Sequence, residues 1–149
     1  MDTDDARELI AEIVDDDELL SSMDVELTEL TDESLSLFVP YSDRIALAES
    51  TPGMGGAVHA GVVATLIDMS GEVLRLAADD PRTFVLATTD LNVSYLRPAS
   101  GDLHVTATIR RVGSSMAVSE ATVESETPEG DRKEIAVGRT SYRVLETDG

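Results

Sequence analysis

Two residues in the stretch GGAVHAGVVATLIDMSGEVLRLAA, residues 55–78, could do chemistry: His59 and, nine residues on, Asp68. Asp68 is the only acidic residue between His59 and Gly71, and apolar neighbours flank it. An unpaired carboxylate in an apolar setting is costly, and its relief is a raised pKa or a partner. A raised pKa makes a carboxylate a general base near neutral pH. A rolled helix that brings Asp68 to water or to a backbone donor is the plainer outcome. His59 stands at a loop–helix junction, where it either takes part in a site or caps the helix. His104, in LHVTAT, reads as a surface or packing residue of a strand.

Other constellations are weak. Two histidines far apart lack the helical i, i+4 spacing of a metal site, so no metal ligands are assigned. No G-x-S-x-G elbow supports a serine triad. The glycines of residues 42–56 fit neither G-x-G-x-x-G nor G-x4-G-K-[ST]. With no cysteine there is no disulfide, thiolate zinc site or thiol nucleophile.

The element carrying Asp68 reads as a long helix over residues 59–78. Val62, Val63, Leu66, Ile67, Ser70, Val73, Leu74 and Ala77 recur at three- and four-residue steps. Gly61, Ala64, Thr65, Asp68 and Gly71 share one side, a stripe of small residues with room for a ligand or a second helix. Gly71 costs about 1 kcal/mol against alanine in a helix, so it marks either a close approach or a tolerated glycine. Free N–H groups of a first helical turn can polarise a carbonyl or hold an anion. Gly61 and Asp68, however, are separated by about 10 Å of rise. One helix cannot aim both at a single atom, whereas two antiparallel copies can. That distance predicts a homodimer with shared sites.

The remaining elements follow in order. Residues 4–20 read as an amphipathic helix through Leu9, Ile10, Ile13, Val14, Leu19 and Leu20, ended or frayed by the solvated acidic run Asp15–Glu18, within an N-terminal helical region of residues 1–22. DVELTELT (24–31) and SLSLFVPY (34–41) alternate and suggest a hairpin. Residues 42–56 form a loop. Pro81 ends the central helix. Strands follow over 83–96, 103–112, 116–125 and 134–145, joined by short turns suited to antiparallel neighbours. In the first of these, Val85, Ala87, Thr89, Leu91, Val93 and Tyr95 would share one face, with Thr88, Asp90, Asn92 and Ser94 on the other. A long helix followed by an antiparallel meander predicts an α+β fold in one domain, residues 1–149.

The formal charge of −19 argues against nucleic acid and anionic membranes as partners. Lys133 is the single lysine, and abundant acid with almost no lysine suggests either a salt-loving cytoplasm or a basic partner. The longest apolar run is interrupted by Asp68, Glu72 and Arg75, and no signal peptide or membrane span is recognisable. A cytoplasmic protein is expected. Arginines cluster from Arg97 onward, at Arg110, Arg111, Arg132, Arg139 and Arg143. They form either a phosphate-holding patch or ordinary strand-edge and turn arginines.

H-A-G with L-I-D-M nine residues on, then TTDLNVSYLRPASGDLHVTATIRRVG and the closing AVGRTSYRV, resembles PaaI-type hotdog-fold acyl-CoA thioesterases of the 4-hydroxybenzoyl-CoA thioesterase superfamily. The resemblance spans residues 23–144. It implies a hotdog fold, an antiparallel sheet wrapped around the central helix, here with an extra N-terminal helix. It implies hydrolysis of an acyl-CoA, coenzyme A being part of the substrate and no cofactor required. By the same resemblance Asp68 is general base or nucleophile, the Gly61 amide polarises the thioester carbonyl, His59 shapes the site, and Thr88 positions water or substrate. Arg111, Gly113 and Arg139 would hold the CoA phosphates and pantetheine. The implied assembly is a homodimer, with a tetramer as its next level. Two departures stand out: Gly53 where the family often has Asn, and Ala60 for the first Gly of H-G-G. The alternatives are a hotdog enoyl-CoA hydratase or dehydratase using His59, and a non-catalytic acyl-CoA binding module.

Overall fold

The structure, a computed structural model, describes residues 3–127 and 129–146. Residues 1 and 2 of the expected N-terminal helix, and Pro128 in the turn before the last strand, lie outside the described residues. In chain order the elements are α1 (Thr3–Asp16), α2 (Glu18–Ser22), β1 (Glu26–Leu30), β2 (Ser34–Val39), α3 (Ala60–Met69), a 3-10 segment (Ser70–Ala77), β3 (Phe84–Tyr95), β4 (Leu103–Val112), β5 (Met116–Glu126) and β6 (Arg132–Glu146). The strands make one six-stranded sheet in the order β1-β2-β4-β5-β6-β3, with every pairing antiparallel. With α3 and its continuation laid on one face, this is the hotdog architecture.

Apolar periodicity explains the packing. Val63, Leu66, Ile67, Val73 and Leu74 are buried against Leu37, Val105, Ala117, Val123 and Ala136 of the sheet. Ala6, Leu9, Ile10 and Val14 bury one stripe of α1. Helix spacing and strand alternation thus meet in one shared core.

Three expectations need correction. The N-terminal helix is two helices, because Asp17 breaks it. The Asp17 backbone is extended, and its carboxylate accepts the Leu20 N–H at 3.1 Å as the N-cap of α2. Leu19, placed in the apolar stripe from sequence, is 59% exposed.

The central element is likewise not one α-helix over 59–78. His59 is its N-cap, regular α geometry ends at Met69, and the tighter 3-10 form runs to Ala77. Competing donors sit at the change. The Ser70 hydroxyl donates to the Ile67 carbonyl at 2.7 Å, and the Tyr142 hydroxyl donates to the Asp68 carbonyl.

The third correction concerns β3. Its register on β6 shifts between Thr88 and Asp90, a bulge that resets the alternation. Phe84 and Leu86 pack into the core, and so does Val93 beyond the bulge. Thr88 shares their face, so the bulge parts it from Asp90, Asn92 and Ser94, with which strict alternation grouped it.

Candidate active site

Asp68 lies near the C-terminal end of α3, half-buried, in a cavity of about 270 Å³. Its carboxylate has a partner: the Thr88 hydroxyl donates to Asp68 Oδ1 at 2.7 Å. The cavity walls include Thr65 and Met69 from α3, Leu86 from β3, and Ile13, Leu19 and Leu20 from the α1–α2 elbow. Leu19 and Leu20 of the elbow line the cavity, and Thr88 faces it as the last residue of β3 before the bulge.

Tyr142, which sequence reasoning missed, lines the same cavity. It lies directly across from Thr88 in the β3–β6 ladder. Burial, and secondarily the Asp68 charge, push its hydroxyl well above the usual tyrosine range, so it stays a neutral donor. Alternation in β6 places Tyr142 on the face of Ala136, Gly138 and Thr140. Nothing in the chain names Asp68 as its target.

The other end of α3 forms a second centre. His59 Nδ1 accepts the Gly61 N–H at 2.9 Å, so the ring caps the helix. The amide that the resemblance assigns to a substrate carbonyl is thus engaged by His59. Both residues are exposed. The Ala60 N–H has no acceptor among the hydrogen bonds of the described residues. The Tyr95 hydroxyl donates to the Ala60 carbonyl at 2.7 Å. Beside Ala60 opens an apolar cavity of about 350 Å³, lined among others by Met54, Val63, Tyr95, Leu96 and Pro98. Gly53, nearby in the loop, holds a φ of +73°, a conformation that glycine and asparagine adopt most readily.

The two centres are apart within one chain. Eight residues of α3 separate Ala60 from Asp68, about 12 Å of rise. The structure joins His59 to Gly61 and Asp68 to Thr88, but not one pair to the other.

The arginines stand elsewhere. A Cβ on Gly138 would point at Ile67 of α3, 2.8 Å from its Cγ2. Arg139, the next residue in the strand, therefore faces away from α3. There it pairs with Glu120 at 2.6 Å, and Arg110 reaches the same oxygen at 3.4 Å. Arg111 pairs in register with Val118, is exposed, and leads into the turn at Gly113. A polar concavity of about 620 Å³ on this outer face is lined by Asp90, Asn92, Ser94, Glu120 and Arg139, among others. Within one protomer the sheet separates these arginines from Asp68. His104 packs its ring on Phe38 at 5.2 Å and meets Glu126 at 3.3 Å. Among the described residues no group of His, Asp or Glu is placed to hold a metal ion. No described helix is long and apolar enough to cross a membrane.

A helix carrying an inward-facing carboxylate, wrapped by a six-stranded antiparallel sheet, is the arrangement of a hotdog thioesterase. The chain belongs to the thioesterase superfamily, whose family profile matches residues 55–130. It is 44% identical over 150 residues to a proposed esterase of Halobacterium salinarum, covering 99% of this chain and 97% of that protein. Its fold is similar to the crystal structure of a thioesterase family protein from Silicibacter pomeroyi, with a TM-score of 0.82 at 17% identity, covering 95% and 99% of the two chains. A Haemophilus influenzae thioesterase gives a TM-score of 0.76 at 20% identity, covering 100% of this chain and 94% of that one.

Proposed function

We propose that this chain is a PaaI-type acyl-CoA thioesterase that works as a homodimer with shared sites in a salt-rich cytoplasm. The observation that carries the reading is Asp68, a carboxylate held by Thr88 at the edge of a cavity in a chain of this superfamily. The first-turn amides of α3 polarise the thioester carbonyl, aided by the helix dipole. Ala60 offers a free N–H, and Gly61 offers one when His59 turns outward. Asp68 of the partner subunit attacks the carbonyl carbon and expels CoA thiolate, or takes a proton from the water that attacks. In the first case one water hydrolyses the acyl-Asp68 anhydride to the free acid and restores the carboxylate. In the second the tetrahedral intermediate formed by that water collapses to the free acid and expels CoA thiolate. In both the thiolate takes up a proton.

Two features support the dimer. The amides and Asp68 are too far apart in one chain to meet one carbonyl. In addition, β3 is a twelve-residue edge strand exposed over most of its length, the kind of edge that a second copy pairs with. Arg111 and Arg139, on the sheet's outer face, and Gly113, in the turn after β4, reach CoA phosphates from another subunit. That placement favours assembly beyond the dimer. The charge of −19 supports a medium in which dense carboxylates are screened.

The test is thiol release from a panel of acyl-CoAs in high and low salt. Asp68→Asn should lose at least about 100-fold in kcat while keeping the dimer and the melting temperature. Wild-type turnover by Asp68→Asn would overturn the assignment. Loss of enoyl absorbance without thiol release would indicate hydration instead.

A further inference from the structure

Thr88 and Tyr142 face each other across the β3–β6 ladder, and both hydroxyls end on one residue of α3. Thr88 donates to the Asp68 carboxylate at 2.7 Å. Tyr142 donates to the Asp68 backbone carbonyl. Tyr142 is only 3% exposed, so this hydrogen bond is shielded from bulk water. Gly71 makes the approach possible, because a Cβ there would stand 1.8 Å from the Tyr142 oxygen. The carbonyl so engaged belongs to the last turn of α3, one residue before α geometry ends.

We infer that Tyr142 is the positioning residue for Asp68, one half of a two-point clamp whose other half is Thr88. The inference rests on the proposal that Asp68 is the reacting carboxylate. A side chain can be aimed only as well as its own Cα is placed. Thr88 fixes the direction of the carboxylate, but the Asp68 backbone lies where the helix changes pitch. An α-helix would engage that carbonyl four residues on, at Glu72, and draw the backbone into another turn. By taking the carbonyl, Tyr142 holds the helix end in one form and keeps the carboxylate within reach of Thr88. The buried hydroxyl stays protonated and donating across the working pH range. Tyr142 touches no reacting atom and acts through Asp68 alone.

The experiment is steady-state kinetics on the full-length protein with three variants. Tyr142→Phe keeps the ring that fills the core and removes only the donor, so it should melt within a few degrees of wild type. Its kcat should fall about 10- to 100-fold with KM within about two-fold, the signature of a misplaced reacting group and not of lost binding. Thr88→Ala in the Tyr142→Phe background should cost less than the product of the two single effects, since both hydroxyls act on one residue. A wild-type kcat in Tyr142→Phe, a raised KM at unchanged kcat, or fully multiplicative losses would each overturn the clamp. If Tyr142→Phe does not fold, Tyr142→Met fills the site flexibly without a donor and takes its place under the same criteria. Asp68→Asn separates the two claims. If it turns over normally, the role of Asp68 itself is lost. If it is inactive while Tyr142→Phe retains wild-type kcat, only the role of Tyr142 is lost.

Discussion

Gly71→Ala should destabilise this protein, although replacing glycine in a helical segment ordinarily does the reverse. The propensity gain is about 1 kcal/mol. Against it, the new Cβ would lie 1.8 Å from the Tyr142 hydroxyl oxygen and 2.2 Å from Cζ. Tyr142 is held in the core and cannot swing into solvent. Overpacking of a well-filled core costs about 1–3 kcal/mol. Driving the hydroxyl off the Asp68 carbonyl strands a buried donor, at about 1–3 kcal/mol more. The net is a loss of about 3 kcal/mol. At about 2–4 °C per kcal/mol for a chain of this size, the Tm should fall by about 6–12 °C. Calorimetric or circular-dichroism melts at fixed salt measure this directly. In a Tyr142→Phe background the same substitution should cost less, because the hydrogen bond is already absent, but the ring still obstructs the methyl. A Tm at or above wild type for Gly71→Ala would refute the argument that Tyr142 occupies the place of that side chain.

Two further outcomes follow from the same geometry. Arg139→Ala should raise KM for acyl-CoA about two- to five-fold at unchanged kcat, the size expected of an exposed ion pair. The difference should shrink as salt rises and vanish with a pantetheine thioester, which lacks the phosphates. Urea midpoints measured across alkaline pH test Tyr142. Its folded pKa is raised by burial above the ordinary value of 10.0, so the unfolded chain ionises first. The associated stability is fully present below about pH 10 and is lost as pH climbs toward the folded value. Tyr142→Phe should show a flatter alkaline decline than wild type.

Much of the fold is legible because burial imposes periods on a sequence. The α1 stripe, the β1–β2 hairpin and the four later strands each announce themselves within a few residues of their observed limits. Asp68 stands out as the one carboxylate of an apolar run, and the resemblance of the H-A-G and L-I-D-M spacing to the family gives it a role. Local chemistry that competes with the period is harder to read. The acidic run Asp15–Glu18 signals an interruption of the apolar pattern, but not that the Asp17 carboxylate would cap a second helix, α2. Leu19 then follows the new helix out to solvent.

The β3 bulge is the sharper case. A register shift of one residue moves side chains to the opposite face, and alternation alone groups Thr88 with Asp90, Asn92 and Ser94. The pairing with β6 decides otherwise, and with it the contact to Asp68. The same holds for Tyr142 and Gly71, which are far apart in the chain and touch only because the sheet curls over the helix. The α-to-3-10 change at Met69 falls at that touch, where a hydroxyl from a distant strand donates to the Asp68 carbonyl.

Residue order by itself determined the elements, the core faces and the carboxylate on its apolar helix, because hydrophobic periodicity is a local property of the chain. Tertiary structure alone decided how that carboxylate is held and which face the arginines occupy. Those outcomes depend on register and close approach between segments far apart in sequence, and no local pattern encodes either.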